Sequence, residues 1–220
     1  MRRSAASAWI PAAVVIAVVV GVGMITPAAQ THVASAASLG PDNGDAVTEY
    51  VTRAASSFDG ASGTRWALMT PDTPVDVAGL AQLVGDVRVS EVLLRASVDR
   101  VQMPVIVQPV AAGSAALARV PALAQGRAQT MVGSDDRQQA ALDYTSAQLG
   151  AGCACVVGAV LHGEVEALST VARTPGVRAV EIAPDGVDVG RLAVRPLLPE
   201  HTTVVEPGPD DGAVPPAGAP

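Results

Sequence analysis

The chain has 220 residues, enough for one ordinary domain with flanking segments. Its formal net charge is -7 and grows more negative without Arg2 and Arg3, so the remainder repels nucleic acid and anionic head groups. All 14 basic residues are Arg, which excludes lysine Schiff-base chemistry, and one Phe, two Trp and two Tyr are too few to build a platform that stacks bases or sugars.

Residues 1–8 carry Arg2 and Arg3 and precede an apolar run, Trp9 to Ala28, that contains no charged side chain. A bilayer span needs about 20 such residues, so residues 9–28 are predicted to form one transmembrane helix or uncleaved signal anchor, with the lipid bilayer as its partner. The two arginines place the amino terminus in the cytoplasm and the carboxyl terminus outside it. Ala34-Ser35-Ala36 has the small-x-small pattern of a signal-peptidase site, so secretion after cleavage near Ala36 is the alternative.

Residues 29–63 read as a juxtamembrane segment with a helix over 45–58, capped by Asp45, whose Val47, Tyr50 or Val51, Ala54 and Phe58 recur at helical spacing. An extracytoplasmic domain follows over 64–190. It opens with a strand from Trp66 to Thr70, a cap at Thr73-Pro74, and a helix with Val77, Leu80 and Val84 on one face, stopped by Gly85. Val87 to Ala96 reads as the next strand.

Val105 to Val107 suggests a further strand, Ser114 to Arg119 a short helix cut by Pro121, and Asp135 to Leu149 a longer helix with Gln138 placed for a capping box. The strand-helix-strand order then returns: strand Cys155 to Leu161, helix Glu164 to Arg173, turn Thr174-Pro175-Gly176 and strand Val177 to Ile182. Two such units predict an α+β, ferredoxin-like sandwich, an antiparallel sheet with its helices on one face and a helical insertion over 101–150. Residues 191–220 turn rich in Pro, Gly and Asp and read as a flexible tail.

The phrases Arg65-Trp66-Ala67-Leu68, Val101-Gln102-Met103-Pro104-Val105, Cys153-Ala154-Cys155-Val156 and Pro196-Leu197-Leu198-Pro199-Glu200 resemble phrases that recur in uncharacterised exported or membrane-anchored proteins of high-GC Gram-positive bacteria. That resemblance implies an envelope location and a single ectodomain, and carries no chemistry with it. Pro175 to Glu181 is similar to the last unit of subtilisin-propeptide and inhibitor domains, which implies a ferredoxin-like fold and protease inhibition as a second reading.

Cys153 and Cys155 are the only cysteines, and outside the cytoplasm they are candidates for a disulfide. In a regular strand their Cα atoms would stand about 6.6 Å apart, at the edge of disulfide geometry, so a bridge is expected to be strained and reducible unless Cys153 belongs to the loop after Gly152. Buried free thiols, or a thiolate site for copper or zinc with His162, are the alternatives, although His162 falls on the opposite strand face. His162-Gly163-Glu164 is best placed in a turn before a helix, and Asp135-Asp136 supplies charge to a helix start. No Walker, Gly-x-Gly-x-x-Gly or Gly-x-Ser-x-Gly pattern occurs. The expectation is a non-enzymatic, single-pass envelope protein with no cofactor, metal site or catalytic residue, which meets an envelope protein partner or senses an envelope condition.

Overall fold

The computed structural model describes residues 35–218, so the span predicted over 9–28 lies outside the described residues. Among the described residues no helix is long and apolar enough to cross a membrane. The elements run β1 (Ser35–Leu39), α1 (Val47–Ser56), β2 (Thr64–Pro71), α2 (Val77–Val84), β3 (Arg88–Leu94), β4 (Ile106–Pro109), α3 (Ser114–Leu117), α4 (Val120–Thr130), α5 (Asp136–Gly150), β5 (Val156–Glu164), α6 (Val165–Ala172), β6 (Val177–Ile182) and β7 (Val187–Val194).

Five strands form a mixed α+β domain's central sheet, ordered β4-β3-β5-β2-β6 with every neighbouring pair antiparallel. β5 lies in the middle, and Val156 to Leu161 are buried without a break because both faces of the sheet are covered. That explains why the segment reads as a continuous apolar run and not as an alternation. On one face α2, α4, α5 and α6 bury Leu80, Ala124, Leu142 and Leu168 against Met69, Val92, Leu161 and Val180.

The opposite face is not bare. β1 and β7 pair in parallel and lie over Leu68, Leu93 and Val160, while α1 sets Tyr50 and Ala54 against Ala179 of β6. The expectation that all helices share one face is therefore corrected by α1. The two strands of this ribbon were not read from sequence, since β1 is short and β7 alternates only loosely in burial.

Local departures have identifiable causes. Val75 exchanges hydrogen bonds with Val156, which holds it in the sheet, so α2 starts later than Thr73-Pro74 implied and is capped by Asp76, whose carboxylate accepts from the Gly79 amide at 2.7 Å. Asp45 does not cap α1; it pairs with Arg53 at 2.9 Å and accepts from the Asp42 amide. Pro121 opens α4 and does not end a helix, in keeping with proline's fit to a first helical turn. Asp135 does cap α5, accepting from the Gln138 amide at 2.8 Å, but Gln138 reaches back to the Ser134 amide, one residue beyond the predicted box.

Of the segment over 191–220, expected to be a flexible tail, the described residues 191–218 fold back onto the domain. Leu197 and Val205 are fully buried, and Pro196 lies 3.1 Å from where a side chain on Gly158 of β5 would begin. Composition suggested disorder because few apolar residues are present, yet two of those few, Leu197 and Val205, are enclosed by the domain while Val204 stays exposed. Likewise the helix assigned to the juxtamembrane segment is part of the domain through its packing on β6.

Candidate functional site

Trp66 of β2, His162 of β5 and Arg88 of β3 stand opposite one another in register, so their side chains share one sheet face. The Trp66 and His162 rings stack with centroids 4.1 Å apart and planes 28° from parallel. Arg88 directs Nη2 to the Val110 carbonyl at 3.2 Å. His162 is therefore a strand residue and not part of a turn: β5 runs through it to Glu164 and straight into α6.

Beside this row a cleft of about 620 Å³ opens between the end of α2, the Gly85–Arg88 turn and α6. Its wall includes Leu83, Val84, Val87, Ala167 and Val171, with His162 and Arg88 at the polar rim. A smaller cleft of about 370 Å³, lined in part by Val89, Val110 and Leu117, lies on the other side of the same turn. The volume of the larger cleft falls within the range of small-ligand sites. The hydroxyls of Thr170 in α6 and of Thr174 just past its end donate to the Glu166 and Thr170 carbonyls, and Glu164 accepts from the Thr64 hydroxyl. The arrangement offers chiefly apolar contact, a binding geometry.

Cys153 and Cys155 are joined by a disulfide, with Cα atoms 5.2 Å apart. Cys153 lies in the loop after α5, where its amide reaches the Gln148 carbonyl, and the Cys155 amide reaches the Cys153 carbonyl at 3.0 Å. The loop position brings the Cα atoms well inside disulfide range, where a regular strand would leave them at its edge. Joined in this way the sulfurs present no thiolate to a metal, and His162 is not brought to them. Among the described residues no group of three or more His, Cys, Asp or Glu is gathered to hold a metal ion.

Three ionisable groups that sequence spacing does not single out, Glu181, Tyr50 and His201, are buried. Glu181 of β6 faces α1, and desolvation pushes its carboxyl above the usual range, against the pull of the Gly40 amide and Arg53. The neighbouring Tyr50 hydroxyl is raised as well, first by burial and then by the Glu181 charge; it is buried without a hydrogen bond of ordinary geometry. His201 is buried in the C-terminal segment, its Nδ1 accepting from the Leu198 amide at 3.3 Å, and burial lowers its pKa. A carboxylate between the apolar Val180 and Ile182 of a strand, as Glu181 is in Val-Arg-Ala-Val-Glu-Ile, is the signal the sequence offers for such a site.

No protein-family model, curated protein or solved structure matches the chain.

Proposed function

We propose that this chain is a non-enzymatic, extracytoplasmic interaction module, a ferredoxin-like domain held at the envelope by an apolar segment over residues 9–28. The observation that carries the interaction reading is the apolar cleft beside the Gly85–Arg88 turn, left open at one end of a sheet whose two faces are covered. The order β3-β5-β2-β6, with α2 and α6 as crossovers on a common face, supports the ferredoxin-like assignment. The Cys153–Cys155 disulfide supports an oxidising compartment, and the charge-free run after Arg2-Arg3 supports the anchor. The partner is an envelope protein. A propeptide-like inhibitor would press a sheet face on its protease, whereas here β1, β7 and α1 already occupy that face.

The test is affinity purification of the full chain, tagged after Pro220, from crosslinked native membranes, with intact mass on the same sample. A stoichiometric partner bound to an uncleaved chain is the expected result. A lone chain beginning at Ala37 overturns the anchored module.

A further inference from the structure

Beyond Val205 the chain is attached by polar groups. The Arg100 guanidinium grips both oxygens of Asp211, Nε to Oδ1 at 2.8 Å and Nη2 to Oδ2 at 2.5 Å. Arg137 Nη2 donates to Asp210 Oδ1 at 2.8 Å, and the Gln102 amide donates to the same oxygen at 3.0 Å. Gln102 Nε2 also donates to the Gly208 carbonyl at 2.7 Å, and the Gly212 amide donates to the Arg100 carbonyl at 2.8 Å. A Cβ on Gly212 would stand 2.5 Å from the Asp99 carbonyl oxygen, so the turn must close on glycine. The loop over 99–102 and the first turn of α5 thus read both the backbone and the acidic side chains of Gly208–Gly212.

The receiving loop is itself set for this contact. Arg100 has φ 56°, the only positive value at a non-glycine residue among those described, and such conformations persist where surrounding contacts over-determine them. The hold is also reversible: the Arg100 and Asp211 side chains are 53% and 64% exposed, and Arg137 and Asp210 are 39% and 44% exposed. Ion pairs in that setting are individually weak and screened by salt. Pro207-Gly208-Pro209 separates this turn from the buried anchor at Val205.

We propose that Arg100, Gln102 and Arg137 form a docking site for an acidic, glycine-ended turn of a protein partner, and that the chain's own Gly208–Gly212 occupies it in the free state. This goes beyond the apolar cleft to a second surface, and rests on the interaction reading. Bidentate arginine selects a carboxylate over a neutral side chain, and the Gln102 amide fixes the position of the preceding acidic residue. The tethered turn lowers the site's apparent affinity in proportion to the time it spends occupied, so a partner competes when it is abundant or presents several copies.

The test uses the full chain and, as probe, a fluorescent peptide of the sequence from Glu206 to Pro220. D210N/D211N and, independently, G212V release the internal turn by removing charge or by steric clash. Both are expected to bind the peptide about tenfold more tightly than the parent chain, with binding that falls as salt rises. Adding R100Q/R137Q to either variant is expected to abolish it. Equal binding by parent and both released variants, or binding that survives R100Q/R137Q, overturns the proposal. A partner captured from crosslinked membranes equally by the parent and the R100Q/R137Q chain overturns the docking site while leaving the interaction module standing. Peptide binding of the expected pattern with no captured partner does the reverse.

Discussion

The Gly40 amide donates to Oε2 of Glu181 at 2.6 Å, across 141 positions of sequence, and so fastens the end of β1 to the sheet's outer strand β6. The carboxyl it meets is buried and its pKa is raised, chiefly by desolvation. In the unfolded chain the same group titrates near its ordinary value. The fold therefore binds this proton more tightly than the unfolded chain does, and the stabilisation from protonation is fully present below the unfolded pKa and is lost as pH rises through the folded one. The Glu181→Gln variant removes the titration and keeps an oxygen for the Gly40 amide. Its stability relative to the parent is expected to increase from pH 4 toward pH 7 in paired denaturant melts. A difference that stays flat or falls over that interval contradicts this account of Glu181.

Gly40 has φ +110°, and a Cβ there would lie 1.8 Å from the Arg195 carbonyl oxygen. Alanine cannot be accommodated without moving the crossing of β1 and the C-terminal segment. Gly40→Ala is expected to cost about 2–4 kcal/mol, combining a strained conformation with backbone overlap. Hydrogen exchange should show the loss concentrated at the Arg195 amide, which donates to the Leu39 carbonyl, and around Leu197. Unchanged stability in chemical denaturation would show that this close approach does not persist in solution.

His201 titrates in the opposite sense. Burial, followed by other charges that include Arg178 and Arg95, lowers its pKa despite the favourable charge of Glu200. Because the Leu198 amide occupies Nδ1, the neutral ring carries its proton on Nε2. Its contribution to stability is present above the unfolded pKa of about 6.5 and is lost as pH falls through the folded value. Nitrogen-detected NMR is expected to show the Nε2–H tautomer and a midpoint below 6.5. A midpoint at or above 6.5 contradicts the buried, amide-bound ring.

The Cys153–Cys155 disulfide encloses a single intervening residue, so it removes little conformational entropy from the unfolded chain. Loop-closure arithmetic gives about 1–2 kcal/mol for so short a ring. Reduction is expected to lower the melting temperature by about 3–6 °C without unfolding the domain at 25 °C. Loss of near-ultraviolet circular dichroism on reduction alone would mean that the bridge holds much more of the fold than its loop.

Local signals placed the two strand-helix-strand units, because helix and strand periodicities are written in consecutive residues: Leu80 and Val84 on α2, Leu168 and Val171 on α6, and the apolar runs of β5 and β6. Asp135 as the cap of α5 was legible for the same reason. The sequence by itself determined these elements, the acidic charge and the apolar amino-terminal run. What only the tertiary structure decided was which distant segments meet. Pairing of β1 with β7, burial of Leu197 and Val205, the Gly40–Glu181 bond and the grip of Arg100 and Arg137 on Asp211 and Asp210 join positions far apart in the chain. Such contacts leave no periodicity, since a single buried side chain or one ion pair needs only one residue at each end, and their energy exists only once the intervening chain has folded to bring the ends together.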